Sequence, residues 1–270
     1  MTATPDIRSL VRERYGAIAR GADESCCAPA SCGCGPEMAP DGLNVIGDAY
    51  AGIAGRLAEA DLNLGCGVPT RHAGLAAGET VLDLGSGAGN DAFIARHEVG
   101  PEGRVIGVDM TDAMIARARA NAKKLGYENV EFRLGEIEDL PVEDGAVDLV
   151  ISNCVLNLVP DKAKAFAETF RVLKPGGRFC VSDIVASGPL PDGIRDAAAL
   201  YVGCIAGAMA ESAYIRTIRA VGFSEVRAAE RRPIALPDEA LLPHLSAAGL
   251  ARFRASGVEL RSVTVLGTKP

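Results

Sequence analysis

The spacing of apolar positions changes near residue 79. From there to Val185, short apolar runs alternate with longer segments whose apolar residues recur every three or four positions. Thr80–Leu84, Arg104–Asp109, Val130–Leu134, Val147–Ser152 and Arg178–Val185 read as strands. Asp91–His97 reads as a helix, Asp112 caps a second that Gly126 stops, and Asp161 caps a third. In the third, Ala163, Phe166, Ala167, Phe170 and Leu173 are expected to form the buried face. Val147–Ser152 is nearly all apolar, as a strand covered on both faces should be. This alternation predicts an α/β fold with a doubly wound, mostly parallel sheet and right-handed crossovers.

The pattern is weaker on either side. Ile7, Leu10, Val11 and Ile18 lie on one stripe of a short helix. Residues 21–43, rich in Gly, Ala, Pro, Ser and Cys, have no apolar period and read as a mobile loop. Residues 44–78 carry a further helical segment. After Val185 we expect a helix over Ile194–Ala210, another over Glu211–Val221 ended by Gly222, a strand over Ser224–Ala229, a helix over Pro237–Ala247 and a last strand over Leu260–Gly267. The expected division is an N-terminal helix and Cys-rich loop (1–43), an α/β domain (44–190), and a smaller C-terminal α+β region that closes over a substrate (191–270).

Composition excludes several classes. Net charge is −7 and no run of Lys or Arg exceeds two, so there is no concentrated basic face for nucleic acid. The longest uncharged apolar stretch, Ala197–Ala210, covers 14 residues, short of the roughly 20 that a bilayer span requires. The first twenty residues lack the apolar core of an export signal, which places the chain in a reducing compartment, the cytoplasm. Eight cysteines there speak for thiol chemistry or metal binding rather than disulfides.

One loop carries the clearest chemistry. Asp83-Leu84-Gly85-Ser86-Gly87-Ala88-Gly89-Asn90-Asp91 follows a strand and opens a helix. Glycines there allow sharp turning and close approach of a ligand. The spacing is G-x-G-x-G, not the dinucleotide G-x-G-x-x-G. Asp109, at the end of the next strand, suits the two hydroxyls of a ribose.

With this loop, Val105–Asp109, Gly135–Pro141 and Leu173–Gly177 appear in order at the spacings of class I methyltransferases, which residues 75–185 resemble. The resemblance implies S-adenosylmethionine as cofactor. It implies Asp83, Gly85, Ser86, Gly87 and Asn153 at the amino-acid end, Asp109 on the ribose, and Met110, Gly135, Glu136 and Ile137 around the adenine.

The acceptor is read from the cysteines. No histidine follows a strand as a general base should. Cys66 stands in Gly65-Cys66-Gly67, Cys154 follows the fourth strand, and Cys204 stands in Gly203-Cys204-Ile205. Each alone reads as a small buried apolar residue, and Cys180 keeps that reading. Together, Asn63–Pro69, Ser152–Pro160, Leu200–Gly207 and the Cys-bearing Ser25–Gly35 resemble the arsenite methyltransferases. That resemblance implies arsenite and methylarsenite as substrates, with trivalent arsenic held by Cys66, Cys154 and Cys204 and no structural metal. For Cys26 and Cys27 it implies a redox partnership with Cys66, restored by an external thiol reductant of the thioredoxin or glutathione type. Zinc binding or arsenic scavenging by Cys26, Cys27, Cys32 and Cys34 stays open. So do two other readings of the chain: a C- or O-methyltransferase acting on a quinone precursor, and an arsenite-binding protein without turnover.

Overall fold

The computed structural model describes residues 7–21, 50–197 and 204–270. Residues 26, 27, 32 and 34, and with them the redox and metal readings of those cysteines, lie outside the described residues. After α1 (Ile7–Ala19), the α/β part comprises β1 (Thr80–Leu84), α2 (Asn90–Val99), β2 (Arg104–Asp109), α3 (Asp112–Leu125), β3 (Val130–Leu134), β4 (Val147–Asn153), α4 (Lys162–Val172) and β5 (Leu173–Ala186). It continues through a short α5 (Asp192–Arg195), a two-residue β6 (Met209–Ala210), α6 (Glu211–Val221), β7 (Ser224–Ile234), α7 (Asp238–Leu241), α8 (Ala247–Ala255) and β8 (Leu260–Thr268).

The strands form one sheet in the order β3-β2-β1-β4-β5-β8-β7, with β6 beside the end of β5. β1 to β5 run parallel, whereas β8 pairs antiparallel with β5 and β7 antiparallel with β8. The expected doubly wound, mostly parallel fold is therefore present. The C-terminal strands extend the same sheet. β1 lies between β2 and β4, so the chain order reverses across the β1/β4 boundary. Open α/β sheets place ligands in the crevice that this reversal leaves beyond the strands' carboxyl ends.

Several local expectations shift for identifiable reasons. Asp161 caps α4 by accepting from the Lys164 N–H at 2.9 Å. The buried face of α4 is Ala165, Phe166, Thr169 and Val172, while Ala163 and Ala167 face solvent. Alanines contribute little apolar area, so the large Phe166 and Val172 decide the rotation. α3 begins at Asp112, not after it, and the Thr111 N–H is taken by Asp109 Oδ1 at 2.9 Å. The expected helix over Pro237–Ala247 is two short ones. Pro243 has no N–H to continue α7, and Ser246 caps α8 by accepting from Gly249 at 3.1 Å. Described residues 50–78 hold only two single 3₁₀ turns. Of the expected Ile194–Ala210 helix, the described part is α5, a turn at 204–207 and β6; residues 198–203 lie outside the description.

Candidate active site

β1 ends in the buried Asp83, and the chain turns over the tip of β2. Gly85 and Ser86 donate to the Val108 carbonyl at 2.8 and 3.0 Å, and Gly87 donates to Asp109 Oδ2 at 3.0 Å. Gly85 and Gly87 have φ of 66° and 51°, the left-handed region that favours glycine. A Cβ on Gly85 would also collide with Val155. These turns open a cavity lined at one end by Asp83, Gly85, Ser86, Gly87 and Asp91, and at the other by Met110, Gly135, Glu136 and Ile137. Asp109 and Asn153 line it as well, so all the residues predicted for the cofactor meet in one cavity.

The amino-acid end has a polar surplus. Asp83 Oδ2, Ser86 Oγ, Asn90 Oδ1 and Asp91 Oδ1 are buried without a hydrogen-bond partner. Burial, reinforced by the Asp91 and Asp109 carboxylates, holds Asp83 well above the usual carboxylate range. Burial pushes Asp91 up to about 6, against hydrogen bonds from Tyr50 and Asn153 that favour its charged form. Buried acceptors left over in this way call for a cationic donor. The α-ammonium of S-adenosylmethionine is such a group, and the glycine cradle admits it, so the residues present fit this cofactor.

α1 covers the same cavity from outside. Val11 is buried, and Arg8, Val11 and Tyr15 line the opening. Arg8 pairs with Glu138 and, at 3.2 Å, with Glu136. Arg12 pairs with Glu136 at 3.3 Å and donates to the Met110 carbonyl at 3.2 Å. The Tyr15 hydroxyl lies against Cys204, and burial, with the neighbouring Cys204, Cys154 and Asp109, raises its pKa well above the ordinary value.

The thiols meet beyond the end of β4, alongside the last part of β5 around Asp183 and Ile184. Cys66, Cys154 and Cys204 are all buried and share one packing cluster with Val11 and Tyr15. The neighbouring Cys204 and Cys66 thiols, ahead of burial, hold the Cys154 proton on far above the usual thiol range. Burial likewise raises Cys66. Cys204 donates to the Cys154 backbone oxygen at 2.8 Å. Cys180 belongs to a different cluster, where its thiol donates to the Pro69 carbonyl at 3.2 Å and burial pushes it up to about 12.

Asn153 fixes the first of these thiols. Its Oδ1 accepts from the Cys66 and Gly67 N–H groups at 3.0 and 3.2 Å, and its Nδ2 faces the Gly67 carbonyl at 2.8 Å, Asp91 Oδ2 at 3.2 Å and the Tyr50 hydroxyl. Tyr50 donates to Asp91 Oδ2 at 2.8 Å. The Cys66 carbonyl accepts from Arg232 at 2.8 Å and from Ser262. A Cβ on Gly65 would stand 2.5 Å from Asn153 Nδ2, and one on Gly67 would collide with Ser182. The two glycines beside Cys66 are thus steric requirements.

Sequence reasoning missed four residues. Tyr50 and Asp91 tie the thiol loop to the cofactor end, and Tyr15 reaches Cys204. The fourth is Asp183, fully buried in β5; burial pushes it up to about 7, partly offset by Lys162, the Ile184 N–H and the Tyr214 hydroxyl. An acidic residue inside the apolar run Phe179–Ala186 was its readable signal.

Residues 75–225 match a methyltransferase-domain family. The chain is 46% identical to an arsenite methyltransferase of Halobacterium salinarum over 84% of its own length and 59% of the relative's. It is 42% identical to one from Aquipseudomonas alcaligenes, over 70% of this chain and 55% of that protein. The chain thus spans less than two thirds of the curated relatives it matches. The crystal structure of an arsenic(III) S-adenosylmethionine methyltransferase from Chlamydomonas reinhardtii superposes with TM-score 0.64 at 36% identity, covering 86% of this chain and 74% of that one. Among the described residues, no helix is long and apolar enough to cross a membrane.

Proposed function

Because this chain belongs to the S-adenosylmethionine-dependent methyltransferases and, among them, to the arsenite methyltransferase family, we propose that it methylates trivalent arsenic held by Cys66, Cys154 and Cys204. The observation that carries this reading is the meeting of three buried thiols beside the cavity that Asp83, Asp91 and Asp109 line.

The thiols explain why no general base is needed. Arsenite is As(OH)₃. Each thiol that binds replaces one hydroxyl, and its proton leaves with that hydroxyl as water. Soft sulfur is the preferred ligand of such a soft centre. The protons that burial keeps on Cys66, and that the neighbouring thiols and burial keep on Cys154, are therefore removed by the substrate itself. Arsenic with three sulfur ligands is pyramidal and keeps its lone pair, which is the nucleophile.

S-adenosylmethionine supplies an electrophilic methyl group when bound. Asp83 and Asp91 would hold its ammonium, Asp109 its ribose, and Met110, Gly135 and Ile137 would border its adenine. The chain contributes position and exclusion of water, with α1 as the cover. Glu136 stands at the rim, where Arg8 and Arg12 tie the cover down. Lone-pair attack leaves pentavalent arsenic, so a further round takes two electrons. We assign these to Cys66 with Cys26 or Cys27, the resulting disulfide being reduced by a thioredoxin or glutathione type system in the cytoplasm.

The test is transfer of methyl from S-adenosylmethionine to arsenite by pure, reduced protein, read as methylated arsenicals. No product would remove the reading. Cys154→Ser or Cys204→Ser retaining full activity would remove the residue assignment. A quinone-type acceptor predicts that both substitutions are tolerated, and a binding protein predicts arsenite uptake without product.

A further inference from the structure

Three donor atoms, not the three thiols, come closest together in this site. Cys66 Sγ, Cys154 Sγ and a carboxylate oxygen of Asp183 lie within 4.8 Å of one another, and all three residues are buried. Cys204 stands outside that set, its S–H turned to the Cys154 backbone oxygen at 2.8 Å. A fully thiolated arsenic is neutral and has no use for a carboxylate, so this acid at the ligand set is unexplained by three-sulfur binding alone. Asp183 is also held in place. Its Oδ1 accepts from the Ile184 N–H at 2.9 Å and its Oδ2 from the Tyr214 hydroxyl at 3.2 Å, with the Lys162 charge nearby. A carboxylate offers about four acceptor positions, so acceptor capacity is left.

We propose that Asp183 is a substrate-binding residue that accepts a hydrogen bond from the last hydroxyl of arsenite while arsenic is held by Cys66 and Cys154 alone. This rests on the arsenite reading above. In the step, two As–S bonds form and two As–OH bonds break. Each departing hydroxyl takes the proton of its thiol and leaves as water, and arsenic stays trivalent throughout. The remaining As–OH points its proton at Asp183. Cys204 then displaces that hydroxyl, again as water, completing the three-sulfur site. Docking is ordered, and the carboxylate selects an arsenical that still carries a hydroxyl after two thiols have bound.

The selection supplies its own control. Phenylarsine oxide, hydrated to a dihydroxide, loses both hydroxyls to two thiols and keeps none for Asp183. The experiment is equilibrium dialysis of arsenite and of phenylarsine oxide, without S-adenosylmethionine. It uses the reduced full chain with Cys26, Cys27, Cys32 and Cys34 replaced by Ser, so that only the buried thiols report. Asp183→Ala should weaken arsenite binding by roughly tenfold or more, the scale of a lost charged hydrogen bond. Asp183→Asn, which keeps a neutral acceptor, should fall between. Phenylarsine oxide affinity should stay within about twofold in both variants, which also certifies their fold. Unchanged arsenite affinity in Asp183→Ala overturns the proposal. Equal loss of both arsenicals overturns it as well, since Asp183 would then support the thiols rather than the hydroxyl. Failure of the parent protein to bind arsenite would instead remove the functional reading on which this one stands.

Discussion

The Cys204 thiol donates to the backbone oxygen of Cys154 at 2.8 Å, and both residues adopt left-handed backbone, with φ of 62° and 58°. A side chain in that region costs about 1–2 kcal/mol. Only four described non-glycine residues adopt it, and two of them are these thiols. The neighbouring chain holds them there. The Cys154 N–H donates to the Ser182 carbonyl at 2.8 Å, and Asn157 donates to the Cys204 carbonyl at 3.1 Å. Strain that the surroundings impose in this way is concentrated at functional sites.

Replacing Cys154 separates the strain from the chemistry. Cys154→Ala removes the sulfur and keeps a Cβ in the left-handed region, whereas Cys154→Gly removes both. The Gly variant should be more stable than the Ala variant by about 1 kcal/mol, despite glycine's larger unfolded-state entropy. Urea denaturation of the two proteins measures this directly. Neither should methylate arsenite. An Ala variant as stable as the Gly variant would show that the backbone at 154 is relaxed.

Much of this arrangement was legible in the chain, and the exceptions have physical causes. β1 and β2 fall where apolar periodicity places them, because strands buried on both faces must be nearly apolar throughout. β3, at the sheet edge, alternates Val130, Phe132 and Leu134 with Glu131 and Arg133 and buries only Phe132. The Gly85–Gly89 turn is legible from its glycine density, which serves both left-handed backbone and close approach of a ligand. Cys66, Cys154 and Cys204 were legible as candidates. Their meeting was not, since it depends on how β4, β5 and two loops pack across 138 positions of sequence. The resemblance implies Asn153 only as a cofactor residue; the structure also gives it the backbone of Cys66 and Gly67. Tyr50 and Tyr15 carry no sequence signal, because a tyrosine in a helix or loop is ordinarily apolar filling. Asp183 did carry one, an acid within an apolar strand.

The glycines beside Cys66 can be tested without touching a thiol. Gly65→Ala sets a methyl against the Asn153 amide, and Gly67→Ala sets one against Ser182. Overpacking of this kind costs about 1–3 kcal/mol. The larger effect should be local, because Asn153 can no longer hold the Cys66 and Gly67 N–H groups. Arsenite titration followed by thiol counting should then consume two buried thiols per arsenic in place of three. Methyl transfer to arsenite should drop by roughly tenfold to a hundredfold, up to the scale of a reacting group misplaced by about 1 Å. Unchanged thiol stoichiometry in Gly67→Ala would mean that this loop does not place Cys66.

Among the described residues, α1 makes three ion pairs, through two arginines of unequal worth. Arg12 reaches Glu136, whose side chain is 37% exposed, so Arg12→Ala should cost under about 1 kcal/mol. Arg8 reaches Glu138, whose side chain is only 6% exposed. Arg8→Ala leaves that buried carboxylate to the Asp161 N–H, at 3.0 Å, and should cost about 1–3 kcal/mol. The ranking Arg8→Ala below Arg12→Ala in thermal denaturation is the expected result. Glu138→Gln combined with Arg8→Ala should restore part of the loss, because the uncompensated charge is gone.

The last prediction concerns pH and Asp91. Burial raises its carboxyl to about 6 in the protein without cofactor, with Asp61 adding to the rise and the Tyr50 hydroxyl and Asn153 amide opposing it. Asp83, the other buried acid at this end, is raised as well. A carboxyl that binds its proton more tightly when folded contributes stability below the ordinary carboxylate range. That contribution is lost as pH climbs through about 6. Through this group the empty protein therefore weakens between about pH 4 and 6. The cofactor's ammonium acts in the opposite direction, because it favours the ionised carboxylate. Binding of S-adenosylmethionine should thus strengthen across the same window and level off above it, by at most about tenfold per pH unit for one group. The rise in melting temperature that saturating S-adenosylmethionine produces should accordingly be larger at pH 7.5 than at pH 5. Asp91→Asn should lower affinity at pH 7.5 and flatten the pH dependence, leaving what Asp83 contributes. A cofactor affinity that is the same at pH 5 and 7.5 in the unmodified protein would exclude Asp91 from the ammonium site.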